Sequence, residues 1–300
     1  MSHASRVAGL LSERVTGASY LAGWALVRAL PEPVARRAFQ AGADLAVRRG
    51  GKGIDRLRSN LARVAPGQDL TRDALRSYAR YWLEVFRLPA MSAERVVAGT
   101  RTVGEHLLRD AVAAPSGTIL ALPHAGNWDA AGAWCGATGV PFTTVAERLE
   151  PASVFDAFVA FRESLGMEVV ALTGGPRPPY VVLAERLDAG GTLCLLADRD
   201  LTPRGVDVTF FGATTRMPAG PAKLALEHGA RLLPTTLSFT DDGWLITFHP
   251  YVEPSDVATM TQQLADAFAA GIAAHPADWH MLQRLWIDDL APDDPRRASA

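Results

Sequence analysis

Thr118-Ile-Leu-Ala-Leu-Pro-His-Ala-Gly-Asn-Trp-Asp129 marks a change of character in the chain. Residues 118–122 are an apolar run of strand length, without the three- or four-residue spacing of an amphipathic helix. Pro123, Gly126 and Asn127 then turn the backbone, and Asn127 is suited to cap a helix that starts with Trp128 and Asp129. Runs of the same kind recur at Phe142–Val145, Glu168–Leu172, Thr192–Ala197, Leu232–Phe239 and Trp244–His249. Helical patterns at Asp129–Ala137, Val154–Leu165, Pro179–Ala189 and Pro218–Glu227 separate most of them, and another spans Met260–Ala274. Strands alternating with helices predict an α/β fold, with a central mixed, largely parallel sheet flanked by helices.

Upstream of this region the pattern is helical. Residues 1–30 read as an amphipathic helix carrying Val7, Leu10, Leu11, Val15, Leu21, Trp24 and Leu26. Pro31 and Pro33 end it and open a second helix over Val34–Arg48, which Gly50, Gly51 and Gly53 break. A third helix passes through Ile54, Leu57, Leu61 and Val64. A fourth, capped by Asp69 or Thr71, carries Leu75, Tyr78, Tyr81, Trp82, Val85 and Phe86. Between Arg36 and Arg63 stand eight Lys or Arg against two Asp. Such a face is either simply solvated or drawn to anionic lipid, worth about 1 kcal/mol per basic residue near the surface. The expected organisation is a membrane-associating helical region over residues 1–100, an α/β core over 101–291 and a disordered tail over 292–300.

Bulk properties narrow the classes. The 300 residues are 48% apolar and 21% charged, which is globular composition. A net charge of −2, without aromatics interleaved among basic clusters, gives no sign of a nucleic-acid partner, and none is expected. The apolar stretch Gly17–Val27 is shorter than the roughly 20 residues a spanning helix needs, and no signal-peptide pattern is present. The expectation from the residues is a chain that does not span a membrane but can lie on one. Cys135 and Cys194 lie in apolar runs and read as buried free thiols. No metal-ligand spacing is present, so neither a metal nor another cofactor is expected.

His124 follows a strand, and Asp129 falls in the first turn of the next helix. Across such a turn the two can face one crevice at the carboxyl end of the strands, where open α/β sheets bind ligands. A neutral imidazole can take the proton of an attacking hydroxyl, a carboxylate can hold the other ring nitrogen, and the helix start offers N–H groups to an oxyanion. The bare spacing is also met by a structural histidine and by an acid that favours the positive end of a helix. His228, His249, His275 and His280 have no motif context.

The flanking residues are more specific. Leu122-Pro-His-Ala-Gly-Asn-Trp-Asp129, Val145-Ala-Glu-Arg-Leu149, Phe158-Val-Ala-Phe-Arg162, Leu196-Ala-Asp-Arg-Asp-Leu201, Arg204-Gly-Val-Asp-Val-Thr-Phe-Phe-Gly212, Arg216-Met-Pro-Ala-Gly-Pro221 and Trp279-His-Met-Leu-Gln283 resemble, in order, the bacterial lysophospholipid and lipid A acyltransferase superfamily. Within it they look most like the actinobacterial phosphatidylinositol mannoside acyltransferases. The resemblance runs from about Leu21 to Leu290. It implies a peripheral enzyme at the cytoplasmic face of the membrane, moving a long acyl chain, commonly palmitoyl, from acyl-coenzyme A to a mannose hydroxyl of a phosphatidylinositol mannoside. It further implies His124 as general base, Asp129 as its motif partner and Asp198 as the relay acid, with Asp200 the fallback. Glu147 and Arg148 would border the acceptor, Arg162 would support the site or bind a phosphate, and Arg199 and Asp200 would contribute to substrate binding.

Asp198 also closes an apolar run, so it shares a rim with His124 if their strands are parallel neighbours. Lipid A-type or other lysophospholipid acyl transfer is the near alternative. A non-catalytic membrane lipid-binding protein and a hydrolase are the alternatives of other classes. The first has no need of an acid–base pair, and the serine form of the second lacks its G-x-S-x-G elbow.

Overall fold

A computed structural model describes residues 22–148, 152–200, 204–294 and 297. Residues 1–21, which carry most of the expected first helix, lie outside the described residues, as do 295–296 and 298–300 of the expected tail. Residues 22–29 are helical. In chain order there follow α1 (Glu32–Arg49), α2 (Lys52–Val64), α3 (Thr71–Arg87), α4 (Ala93–Ala98), β1 (Thr100–Val103), α5 (Glu105–Val112), β2 (Thr118–Leu122), α6 (Trp128–Ala137), β3 (Phe142–Ala146), α7 (Ala152–Ser164), β4 (Met167–Ala171), α8 (Pro179–Asp188), β5 (Thr192–Leu196), β6 (Val206–Phe210), β7 (Ala213–Met217), α9 (Gly220–His228), β8 (Arg231–Phe239), β9 (Trp244–Phe248) and α10 (Val257–Ala274).

Seven strands form one sheet in the order β1-β9-β8-β2-β5-β3-β4. Every pairing in it is parallel except β8 with β9. β6 and β7 form a separate antiparallel hairpin. Parallel strands covered on both faces need unbroken apolar sequence, and β2 is buried along its whole length. Its side chains alternate between two cores. Leu120 and Leu122 join Trp134, Phe142, Phe158 and Phe248 on one face. Ile119 and Ala121 join Leu187, Phe210, Leu264 and Trp279 on the other.

The N-terminal helices are part of this packing. Tyr81 and Val85 of α3, with Leu88 just after it, are buried in the same core as β2. α3 thus packs across the expected division at residue 100, while Ala43, Ile54, Leu57, Leu61, Ala74 and Leu75 form a smaller cluster of their own. Among the described residues no helix is long and apolar enough to cross a membrane.

Candidate active site

β2 and β5 are parallel neighbours with Leu122 opposite Leu196. Two residues beyond each stand His124 and Asp198, so strand register alone brings them level at the carboxyl rim. The Ala197 N–H donates to the Leu122 carbonyl at 2.8 Å, which carries the ladder one step past the strands. His124 Nδ1 lies 2.5 Å from Asp198 Oδ1, and the His124 backbone N–H donates to Asp198 Oδ2 at 3.0 Å. Asp198 is fully buried. Burial alone would push its pKa up, yet the His124 imidazole and the hydrogen bonds from His124 and Trp279 hold it below the usual carboxylate range. An ionised carboxylate only accepts, so Nδ1 carries a proton, and the neutral form of the ring has its lone pair on Nε2. No hydrogen bond to Nε2 is made among the described residues, and the His124 side chain is 26% exposed. That nitrogen is open to an incoming hydroxyl.

A short segment clamps this turn from the other side. The Gly126 N–H donates to the Asp278 carbonyl and the His280 N–H to the His124 carbonyl, both at 2.9 Å, and Ala125 bridges Trp279 antiparallel. The Trp279 indole Nε1–H donates to Asp198 Oδ2 at 3.0 Å. His280 Nε2 lies 2.9 Å from Ser77 Oγ, which donates to Asp278 Oδ1 at 2.7 Å. Burial, and then the neighbouring His124, push the His280 pKa down to about 3, so its ring is neutral. Neither Trp279 nor His280 stands out in the sequence beyond its place in a matching run. The partners lie on β2, β5 and α3, and no local spacing announces them.

Asn127 caps α6, its Oδ1 accepting from the Ala130 N–H at 3.0 Å. Its Nδ2 donates to Glu84 Oε2 at 2.8 Å, and the same oxygen accepts from Trp244 Nε1 at 2.7 Å. Asp129 does not share a crevice with His124. It is fully buried, with Oδ1 accepting from Arg162 Nε at 2.8 Å and Oδ2 from the Tyr81 hydroxyl at 3.0 Å. The first turn of α6 carries it inward, between α3 and α7. Arg162, expected at a phosphate, is committed to this pair, and its guanidinium lies 4.2 Å from the centre of the Trp128 ring. Burial works against the Arg162 charge, but Asp129 outweighs it and keeps the guanidinium protonated. Burial first, and then Asp129, raise the Tyr81 phenol far above its ordinary value.

The remaining candidates are on the same rim. Glu147 and Arg148 follow β3 and are exposed. Arg148 Nη1 reaches the Gly174 carbonyl at 3.4 Å, and its guanidinium lies 5.7 Å from the Phe155 ring centre. Arg199 and Asp200 follow β5 and are half-buried, with the Asp200 N–H donating to the Arg216 carbonyl at 3.1 Å. Asp198, rather than Asp200, is thus the carboxylate on the imidazole. Leu149 and Leu201 of the matching runs lie outside the described residues. Cys135 and Cys194 are free and buried. Burial raises the Cys135 thiol to about 12 and the Cys194 thiol still further. Among the described residues no group of three or more His, Cys, Asp or Glu is placed to hold a metal ion.

Two concavities frame the rim differently. A cavity of about 830 Å³, lined by Asp110, Pro115, Arg231, Tyr251 and Glu253 among others, sits at the amino ends of β2 and β8. It is on the opposite edge of the sheet from His124. An apolar groove of about 670 Å³ runs between α1 and α3, lined by residues that include Phe39, Leu75, Tyr78, Trp82 and Phe86. Tyr78 connects it to the site, since its ring centre is 5.2 Å from that of His280.

Residues 10–288 match the family described as bacterial lipid A biosynthesis acyltransferase. The chain is 54% identical over 296 residues to the phosphatidylinositol mannoside acyltransferase of Mycolicibacterium smegmatis (strain ATCC 700084 / mc(2)155), covering 96% of each chain. It is 51% identical over 299 residues to the protein of the same name from Mycobacterium tuberculosis (strain CDC 1551 / Oshkosh), covering 96% of this chain and 93% of that one. For the protein from strain ATCC 25618 / H37Rv the identity is 50% over 303 residues, with the same coverage. With a family match across nearly its whole length, and a strand-end imidazole open on one nitrogen, the chain belongs to the bacterial lipid A biosynthesis acyltransferase family and is an enzyme that transfers acyl groups other than aminoacyl groups.

Proposed function

We propose that this acyltransferase moves a long acyl chain, palmitoyl in the first instance, from acyl-coenzyme A to a mannose hydroxyl of a phosphatidylinositol mannoside, with His124 as general base. The observation that carries the mechanism is the imidazole itself. Nδ1 is bound to a buried, ionised Asp198 and Nε2 is open at the rim. The acceptor hydroxyl gives its proton to Nε2 as its oxygen attacks the thioester carbonyl. Asp198 stabilises the imidazolium that forms, as the acid of a triad does. Collapse of the tetrahedral species breaks the carbon–sulfur bond, and the leaving thiolate takes the proton back from Nε2. First-turn N–H groups of α6 supply the oxyanion contact.

Transfer is direct, because neither cysteine has access or acidity for a thioester intermediate. The apolar groove between α1 and α3 takes the acyl chain. Its walls are apolar, and Tyr78 links it to the His280–His124 contact. Glu147, Arg148, Arg199 and Asp200 flank the acceptor on the polar side of the rim. The acceptor class rests on the names of the mycobacterial relatives, and their similarity over nearly the whole chain supports carrying it over. The basic faces of α1 and α2, with exposed Leu26, Val34 and Leu45 nearby, support a peripheral seat on the anionic cytoplasmic face of the membrane.

The test is mass spectrometry of lipid products after incubating the purified protein with palmitoyl-CoA and phosphatidylinositol mannosides on anionic vesicles. A gain of one acyl group on the mannoside is expected. Free fatty acid alone would leave thioester cleavage with the wrong acceptor and favour a lysophospholipid or lipid A-type substrate. Intact palmitoyl-CoA would sink coenzyme A as the donor.

A further inference from the structure

We infer that Trp279 is a positioning residue for the His124–Asp198 pair, fixing the carboxylate in the one rotation that grips Nδ1. The inference rests on the reading of that pair as base and acid. Asp198 is fully buried, so its oxygens depend on protein donors. Oδ1 faces His124 Nδ1, and Oδ2 accepts from the His124 backbone N–H and from the Trp279 indole. Both His124 donors belong to one residue, whereas the indole reaches Oδ2 from a different segment, so the carboxylate is held from two parts of the chain.

Trp279 is itself immobile. It is fully buried, with the Phe210 and Trp286 ring centres 5.9 and 6.1 Å away, and Trp286 Nε1 is tied to the Phe210 carbonyl at 2.9 Å. Its backbone bridges Ala125, while its neighbours Asp278 and His280 bond Gly126 and the His124 carbonyl. The segment Asp278–His280 thus touches both halves of the pair, with the His280 N–H on the His124 carbonyl and the Trp279 indole on the acid. Misplacing a reacting group by about 1 Å can cost on the order of 100-fold in rate.

The test replaces Trp279 by 3-benzothienylalanine, which keeps the bicyclic shape and puts sulfur in place of the N–H, with Trp279→Phe as its simpler companion. Two readouts are taken: kcat and KM with palmitoyl-CoA, and the downfield proton resonance of His124 Nδ1–H in the purified protein. The expected result is a kcat lowered about tenfold or more with KM unchanged, and a resonance that moves or broadens. Wild-type kcat together with an unmoved resonance in the analogue would overturn the inference. Should Trp279→Phe fail to fold, the isosteric analogue decides. Should the wild-type protein transfer no acyl chain, the base reading fails separately, and the resonance alone settles whether Trp279 orients the acid.

Discussion

His124 has one ring nitrogen held by Asp198 and one open, and the two residues fail differently when changed. His124→Ala removes the proposed base, and general-base catalysis is worth about 10²–10⁴-fold. Acyl transfer is expected to fall by that range while the protein still folds, with a lowered melting temperature because buried Asp198 loses a partner, and the KM for the donor stays unchanged. Asp198→Asn leaves the shape but loses the charge that fixes the tautomer, so kcat falls while substrate binding is kept. Steady-state kinetics beside a thermal melt check both; a folded His124→Ala protein with the wild-type rate would remove His124 from the chemistry. Nearby, His280 carries a pH signature. Its pKa is about 3 in the fold against an ordinary 6.5. The unfolded chain takes up this proton first as pH falls, so the stabilisation is complete above 6.5 and is lost progressively towards 3. Between pH 7 and pH 5 the wild type should lose on the order of 2 kcal/mol more stability than His280→Gln, measured by urea unfolding at both values. The strand-end positions of His124 and Asp198 were legible in the sequence because each follows an apolar run, while their pairing was implied by the family resemblance. Asp129 and Arg162 were not legible, since both patterns also suit a site, and only the fold shows that they satisfy each other inside the core.

The turn from β2 into α6 is the element on which the site depends, and Gly126 is its tightest point. Its φ is +57°, and a Cβ there would lie 2.7 Å from the Leu237 carbonyl carbon and 2.9 Å from Leu237 Cβ. Backbone of a central strand cannot yield as a side-chain tip does. Gly126→Ala should therefore cost roughly 2–4 kcal/mol, adding left-handed strain to overpacking, and should lower kcat because the displaced turn carries His124. Chemical denaturation and kinetics on the one variant measure both effects; unchanged values would mean that the turn has slack. Gly126 and the Asn127 cap were readable as punctuation. The hairpin β6–β7 and strand β1 were not. Val206-Asp-Val-Thr-Phe210 alternates in burial, as a two-stranded ribbon with one wet face must, and the β1 edge strand Thr100-Arg-Thr-Val103 does the same. A search for continuous apolar runs finds buried parallel strands and passes over such half-exposed ones. The hairpin tip is also unusual, with Phe211 at φ +48° and its ring 4.6 Å from that of Phe210, close to Trp279. An aromatic in a position that favours Gly or Asn gives no turn signal.

At the scale of the molecule, the question is whether the helices before residue 100 are an appendage to the sheet or part of its core. Their basic faces suggest an appendage built for a surface, and composition alone would cut the chain there. The contacts argue the other way. Glu84 of α3 accepts from both Asn127 and Trp244, and Tyr81 donates to Asp129. Removing α3 would strand those buried polar groups at about 1–3 kcal/mol each. It would also expose the apolar surface now covered by Tyr81, Leu83, Val85 and Leu88, at about 1.5–3 kcal/mol per side chain. Together these losses rival the whole stability of an ordinary domain, about 5–15 kcal/mol. A fragment spanning residues 101–294 is therefore expected to lack a cooperative unfolding transition and near-ultraviolet circular dichroism, although it retains every residue at the carboxyl rim from His124 to Asp200. The full chain should show both under the same conditions. A fragment that melted cooperatively would mean that the sheet folds alone and that α3 is a docked accessory. A fragment that fails would mean that the N-terminal helices and the strands leading to His124 and Asp198 fold as one unit, so that the membrane surface proposed for α1 and α2 would be held in fixed register with His124.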